Sequence, residues 1–335
     1  MELFNYNEPF ELENGKILPN LTIAYHSYGK LNSDKSNVIW VCHALTANSQ
    51  AEAWWPGVVG SNGFADPSKY FIVCANIIGS CYGSTGPLTI DTLTQQPYYS
   101  TFPEVTIRDM VKAHIILRKH LAIDKIYLLM GGSMGGYQAL EWCAMESNSI
   151  GNLFVIGTSA TESAWGIAVH TTQRLAIEAD ASWKLHRRDA GAKGLKAARA
   201  MGVISYRNYQ ILVEKQTDPN AEKLDNYKAS SYINYQGDKL VSRFNAYSYW
   251  LLTKSMDSHH LGRGRGGNAD KVLQNFKQKT LIMGIDSDIL CPLHEQELLA
   301  KNIPNSTLIK IDSLYGHDGF ITEAAKISKA LAEWI

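Results

Sequence analysis

Gly131-Gly132-Ser133-Met134-Gly135-Gly136 follows the apolar run Ile126-Tyr127-Leu128-Leu129-Met130 and precedes Tyr137-Gln138-Ala139-Leu140-Glu141-Trp142. A short apolar run reads as a buried strand, and the residues after the glycines read as a helix. Strand, sharp turn, helix is the setting in which G-x-S-x-G becomes a nucleophile elbow. Such a turn holds its central residue in strained backbone geometry, and Gly131 and Gly135 remove the Cβ atoms that would collide with it. The pattern predicts that Ser133 projects its hydroxyl from the C-terminal edge of a sheet. The helix behind it aims backbone N–H groups at any negative charge that develops there. A seryl nucleophile needs a base and an acid, expected further along in the order Ser, Asp, His.

Working outward, the 335 residues suffice for one large α/β domain or two smaller ones. Lys plus Arg and Asp plus Glu both number 32, so no net positive charge favours a nucleic-acid partner. No apolar stretch is long enough to cross a bilayer. The N-terminal residues Met1-Glu2-Leu3-Phe4-Asn5 lack a signal-peptide pattern, and a cytoplasmic location is expected. Cys42, Cys74, Cys81, Cys143 and Cys291 show no paired spacing and read as reduced thiols, neither disulfides nor a metal site.

Before the elbow, Leu21 to Tyr28, Val38-Ile39-Trp40-Val41-Cys42 and Tyr70 to Ala75 read as strands. Thr106 to Asp109 resembles a capping box opening a helix that carries Ile107, Met110, Val111, His114 and Ile115 on its apolar stripe. His114 reads as a core histidine and His43 as a residue orienting its own loop. Trp54 and Trp55 fit either a pocket wall or packing. From Thr161 to Asn268 strand patterns give way to helical ones, clearest over 171–179, 195–201 and 240–256. This predicts a helical lid over 161–268, set into a core formed by 1–160 and 269–335. Its last part, Gly262-Arg263-Gly264-Arg265-Gly266-Gly267, reads as a surface loop. Strands resume at Thr280 to Ile285 and Ser306 to Ile311, and an amphipathic helix is expected from Ile321 to Trp334.

Ser133, Asp288 and His317 each fall just after an expected strand, in the chain order of the α/β-hydrolase fold, with its mostly parallel sheet flanked by helices. In a parallel sheet the loops that follow the strands share one edge, so the three side chains can converge. His317 can take a proton near neutral pH, and an acid can fix its tautomer. Asp286 competes with Asp288 for that role; Asp288 stands further into the loop. In this fold the loop after the Val38–Cys42 strand supplies one oxyanion-hole amide. Leu45 is the candidate, with Met134 as the second donor.

The chain resembles the homoserine O-acetyltransferase family, acyltransferases of methionine biosynthesis with this fold. The resemblance runs over nearly the whole chain. It rests on Cys42-His43-Ala44-Leu45-Thr46, Cys81-Tyr82-Gly83-Ser84-Thr85-Gly86-Pro87, the elbow, Gln138-Ala139-Leu140-Glu141-Trp142, Gly194-Leu195 with Ala198-Arg199, Tyr235-Gln236-Gly237-Asp238-Lys239, Ser287-Asp288 and Gly316-His317-Asp318. It implies Ser133 as nucleophile with Asp288 and His317, and an amino-acid substrate bound by Arg199 and Asp318. It further implies acetyl-CoA as acyl donor and co-substrate, L-homoserine as acceptor, no resident cofactor, no metal, and a homodimer paired through the lid helices. The chain departs from the family pattern at Ala47-Asn48 and Ser80, close to the expected pocket. Succinyl-CoA as donor, serine as acceptor, and a serine esterase are the alternatives within the same fold.

Overall fold

The apolar run Val38–Cys42 forms the inner strand from which the sheet is built. In the computed structural model, which describes residues 1–335, its five residues are all buried. Val38, Trp40 and Cys42 pack into one core cluster, while Ile39 and Val41 pack into the other. A strand covered by helices on both faces has no polar side to show, which is why its sequence does not alternate.

Ten strands occur: β1 Glu2–Tyr6, β2 Phe10–Glu11, β3 Ile17–Leu18, β4 Leu21–Tyr28, β5 Val38–Cys42, β6 Phe71–Ala75, β7 Ile126–Gly132, β8 Ile150–Ile156, β9 Lys279–Ile285 and β10 Ser306–Ile311. β2 and β3 form a small separate hairpin. The other eight form one sheet in the order β1-β4-β6-β5-β7-β8-β9-β10. β4 pairs antiparallel with β1 and β6, and from β6 to β10 every pairing is parallel. The C-terminal ends of β7, β9 and β10 therefore lie on one edge.

The helices are α1 Ala51–Trp54, α2 Ile107–His120, α3 Met134–Met145, α4 Ala164–Glu178, α5 Ala192–Tyr206, α6 Tyr209–Gln216, α7 Lys228–Val241, α8 Ala246–Asp257, α9 Ala269–Leu273, α10 Leu293–Asn302, α11 Gly319–Thr322 and α12 Ala324–Trp334. The box opening α2 is complete: the Thr106 hydroxyl accepts from Asp109 N–H, and Asp109 Oδ2 accepts from Thr106 N–H. Caps of this kind contribute about 1 kcal/mol. Two expected helices are each divided. The stretch 240–256 contains the end of α7 and all but the last residue of α8, broken where Asn245 turns out of the helix to cap Ser248 N–H. The C-terminal stretch breaks at Glu323, between α11 and α12.

Helices α4 to α8 lie between β8 and β9 in the chain. Their two connections to the sheet run side by side. Thr161 bridges antiparallel to His260, Glu162 N–H donates to His259 O at 2.9 Å, and Leu261 N–H donates to Ala160 O at 3.0 Å. The Gly/Arg run after this neck is a loop tied to the core by charge. Arg263 and Arg108 both reach Glu13, at 2.9 and 2.6 Å, and Arg265 and Arg108 both reach the buried Glu141, at 2.6 and 2.7 Å. No helix is long and apolar enough to cross a membrane, and all five cysteines are free thiols.

Candidate active site

Ser133 sits where β7 turns into α3, at φ 55° and ψ −128°, a backbone conformation that a residue with a Cβ rarely adopts. Its neighbours make the turn possible. A Cβ on Gly131 would stand 2.3 Å from Gly135 O, and one on Gly135 would stand 2.1 Å from Cys42 O. Both contacts are far inside van der Waals distance, so only glycine lets the turn close against β5. The result lifts the Ser133 hydroxyl off the sheet edge, at the start of the twelve-residue helix α3.

His317 lies in the turn after β10, and Asp288 in the loop after β9. His317 Nε2 is 2.8 Å from Ser133 Oγ, and His317 Nδ1 is 2.7 Å from Asp288 Oδ2. The other carboxylate oxygen of Asp288 accepts from the backbone N–H of Leu290 and Cys291, at 2.8 and 2.9 Å, which fixes its orientation. All three side chains are buried. Burial pulls the His317 pKa down, but the charge and hydrogen bond of Asp288, with Asp318 and Glu162 behind it, outweigh that, and the net shift is upward. Asp286 does not compete: its Oδ1 accepts from Ser313 N–H at 3.1 Å and braces the loop that carries His317. Ser287 completes the brace by accepting from Gly316 N–H at 3.0 Å and donating to Ser313 O.

The two amides expected to meet an oxyanion belong to segments next to Ser133. Met134 is the first residue of α3, and Leu45 belongs to the loop after β5. Neither amide donates to another group of the chain. His43 orients that loop. Its Nδ1 lies 2.9 Å from Ala44 O, and its Nε2 accepts from Ile77 N–H at 3.2 Å. Burial pushes its pKa down to about 4, so the ring is neutral and structural. His114 is likewise a core residue, its ring 3.1 Å from Gln138 Oε1.

A cavity of about 350 Å³ opens over Ser133 and His317, lined also by Leu45, Trp54, Arg199, Tyr206 and Asp318. Of the adjacent tryptophans, Trp54 lines it, whereas Trp55 is wholly buried and donates its indole N–H to Phe320 O at 2.7 Å. The Arg199 guanidinium stands over the Tyr206 ring, 5.5 Å from its centroid. Asp318 already has a partner that sequence reasoning missed: Arg207 Nε lies 2.9 Å from its Oδ2. Arg207 follows α5 directly, so this ion pair joins the end of α5 to the turn that carries His317. His170 lines the cavity as well, held by Asp257 at 2.9 Å, which Arg174 also contacts at 2.6 Å. No cluster of three or more His, Cys, Asp or Glu residues suited to holding a metal ion occurs.

A serine hydrogen-bonded to a buried base, two free amides and a cavity above them suit acyl transfer through an ester on the enzyme. Comparison with known proteins narrows the chemistry. The alpha/beta hydrolase fold family matches residues 37–324. The homoserine O-acetyltransferase of Cyclobacterium marinum is 45% identical over 98% of this chain and 93% of its own length. Among solved structures, the homoserine O-acetyltransferase of Bacillus anthracis superposes with a TM-score of 0.92 at 23% identity, covering 99% of this chain and 96% of that one. Esterase E22 superposes almost as well, with a TM-score of 0.90 at 21% identity over 99% of this chain and 98% of that one. At those identities the two superpositions establish the fold alone, and the closer sequence relative separates transferase from esterase.

Proposed function

The chain belongs to the homoserine O-acetyltransferase family within the α/β-hydrolase fold, and on that premise we propose how its residues carry the transfer. Ser133 Oγ attacks the thioester carbonyl of acetyl-CoA while His317 Nε2 takes its proton. The oxyanion that forms is met by the N–H groups of Leu45 and Met134. The C–S bond breaks, His317 returns the proton to the departing sulfur, and CoA leaves an acetyl group on Ser133. The side-chain hydroxyl of L-homoserine then gives its proton to His317 and attacks the acetyl ester. The ester bond to Ser133 breaks, and Oγ regains the proton. Asp288 holds the imidazole in the working tautomer and stabilises it when charged.

The observation that carries this reading is the unbroken chain Asp288–His317–Ser133, at 2.7 and 2.8 Å, beneath a cavity that also holds Arg199 and Asp318. An α-amino acid buried under a lid needs a cation for its carboxylate and an anion for its ammonium, since desolvating either alone is costly. Arg199 supplies the first and Asp318 the second. Because Asp318 follows His317, an acceptor held there lies beside the base. The product, an acetyl ester of homoserine, carries the better leaving group that a step of methionine biosynthesis requires. No resident cofactor enters the scheme.

Two further elements complete the reading. Ile204, Leu212, Val213, Ala229, Tyr232 and Ile233 form an exposed apolar groove on α5, α6 and α7, a surface suited to a second copy of the chain in a homodimer. Free thiols and a CoA substrate agree with a cytoplasmic setting.

The decisive experiment follows thiol release from acetyl-CoA with and without homoserine. Sustained release that depends on homoserine supports the transferase. Equal sustained release without it makes the enzyme a hydrolase. Release from succinyl-CoA but not acetyl-CoA, or with serine but not homoserine, reassigns the donor or the acceptor.

A further inference from the structure

A second cavity, of about 290 Å³, adjoins the catalytic one, and Arg243 lines both. Cys81, Arg188, Asp189, Phe244 and Asn245 contribute to its wall. Two exposed arginines thus line one pocket that opens to solvent, and neither has a carboxylate partner. Arg243 Nη1 donates to Thr46 O at 2.5 Å and to the Tyr82 hydroxyl, both neutral acceptors. Arg188 makes no ion pair, and Asp189, the acid nearest to it in sequence, is held by Arg187 at 2.9 Å. Like charges gathered on a concave wall repel each other until an anion is placed between them, and the planar fork of Arg matches phosphate oxygens in pairs.

The acyl donor proposed above is built to fill both spaces. Its thioester sits at one end of a long uncharged pantetheine arm, and its phosphates sit at the other. We propose that Arg188 and Arg243 form a phosphate-binding site for the donor, with the pantetheine arm running past Arg243 to Ser133. The inference rests on acetyl-CoA being the donor and adds where its charged end is held. The apolar stretch of the catalytic cavity takes the acyl group, and the second cavity selects donors that carry phosphate.

Cys81 gives this site a built-in reporter. It is the one cysteine with partial exposure, the other four being buried. Burial pushes its thiol up to about 11, so at neutral pH it stays protonated and does not attack the thioester.

The test compares two donors in the wild type and in Arg188→Ser. S-acetyl-N-acetylcysteamine presents the same thioester without phosphates. Arg188→Ser should raise KM for acetyl-CoA about tenfold, the loss of a charge-assisted phosphate contact, with kcat unchanged and the short thioester used equally well. At pH 9, where enough Cys81 thiolate forms to be alkylated, adenosine 3′,5′-bisphosphate should shield Cys81 from N-ethylmaleimide in the wild type and not in the variant. Equal impairment with both donors would mean that Arg188 supports the fold, and an unchanged KM or unshielded Cys81 in the wild type would place the phosphates elsewhere; each overturns the site. Failure of the wild type to acetylate Ser133 from either donor would instead overturn the acyl-enzyme reading beneath it.

Discussion

Arg207 Nε stands 2.9 Å from Asp318 Oδ2, so the carboxylate proposed for the acceptor's ammonium already holds a guanidinium from the end of α5. A carboxylate has about four acceptor positions and can serve both. Held through Oδ2, Asp318 keeps Oδ1 in a fixed direction for the incoming ammonium. Arg207→Gln should therefore raise KM for homoserine, by roughly three- to tenfold given the partial exposure of the pair. Acetylation of Ser133 should be unaffected. Arg199→Ala should act on the same half of the reaction more severely, removing the carboxylate's partner. The check is paired: burst release of CoA without acceptor, and steady-state transfer with it. Loss of the burst in Arg199→Ala would remove that residue from the acceptor site.

Ser133→Ala should fold normally, because alanine accepts the space even though its backbone remains in the same strained region. It should form no acetyl-enzyme. Intact-mass measurement after exposure to acetyl-CoA reads this directly: one added acetyl group in the wild type, located by peptide mapping to Ser133, and none in the variant.

The two aspartates after β9 should part cleanly. Asp288→Asn removes the partner of His317 Nδ1 and should lower turnover by roughly 10⁴-fold. Asp286→Asn weakens the brace on Ser313 and should cost about 1 kcal/mol of stability, with turnover lowered far less. Steady-state rates and thermal melts of the two variants, run side by side, check the ranking.

The pH profile follows from the raised pKa of His317. Attack needs the neutral imidazole, so acetylation should fall on the acid side with a midpoint above the ordinary histidine value of 6.5. Asp288→Asn removes the largest upward influence and should move that midpoint to lower pH. The same shift stabilises the fold while the group is charged. That contribution is complete below the unfolded-state value and is lost as pH rises through the folded-state one. Single-turnover rates against pH, in the wild type and Asp288→Asn, test the sign.

Much of the catalytic geometry was legible because local patterns encode it. Ser133, Asp288 and His317 each follow an apolar strand, and parallel strands bring their following loops to one edge whatever the intervening chain does. Glycines flanking a serine likewise declare a turn within six residues. Asp288 could be chosen over Asp286 by its place further into the loop and by the family resemblance, but the role of Asp286 as a brace on Ser313 could not, because it depends on the direction of a carboxylate. Arg207 was opaque for another reason. Its partner lies in the turn after β10, far along the chain, and no spacing rule links them. The division between α7 and α8 left a faint mark, an asparagine three residues before a serine, overridden by the apolar residues on either side. The arginines of the Gly262–Gly267 run read as solvent-facing from composition, yet their partners Glu13 and Glu141 come from opposite parts of the chain.

That last feature bears on recombination between relatives. A hybrid made by transplanting residues 161–268 as a cassette would carry Arg263 and Arg265 away from Glu13, Glu141 and Arg108, leaving the buried Glu141 to whatever the recipient supplies at those positions. Crossovers placed inside the neck, after Glu162 and before His259, keep the charge cluster with one parent and exchange only the helices. The seam between ancestral halves of such a hybrid lies where two backbones run side by side, not where the helical pattern ends.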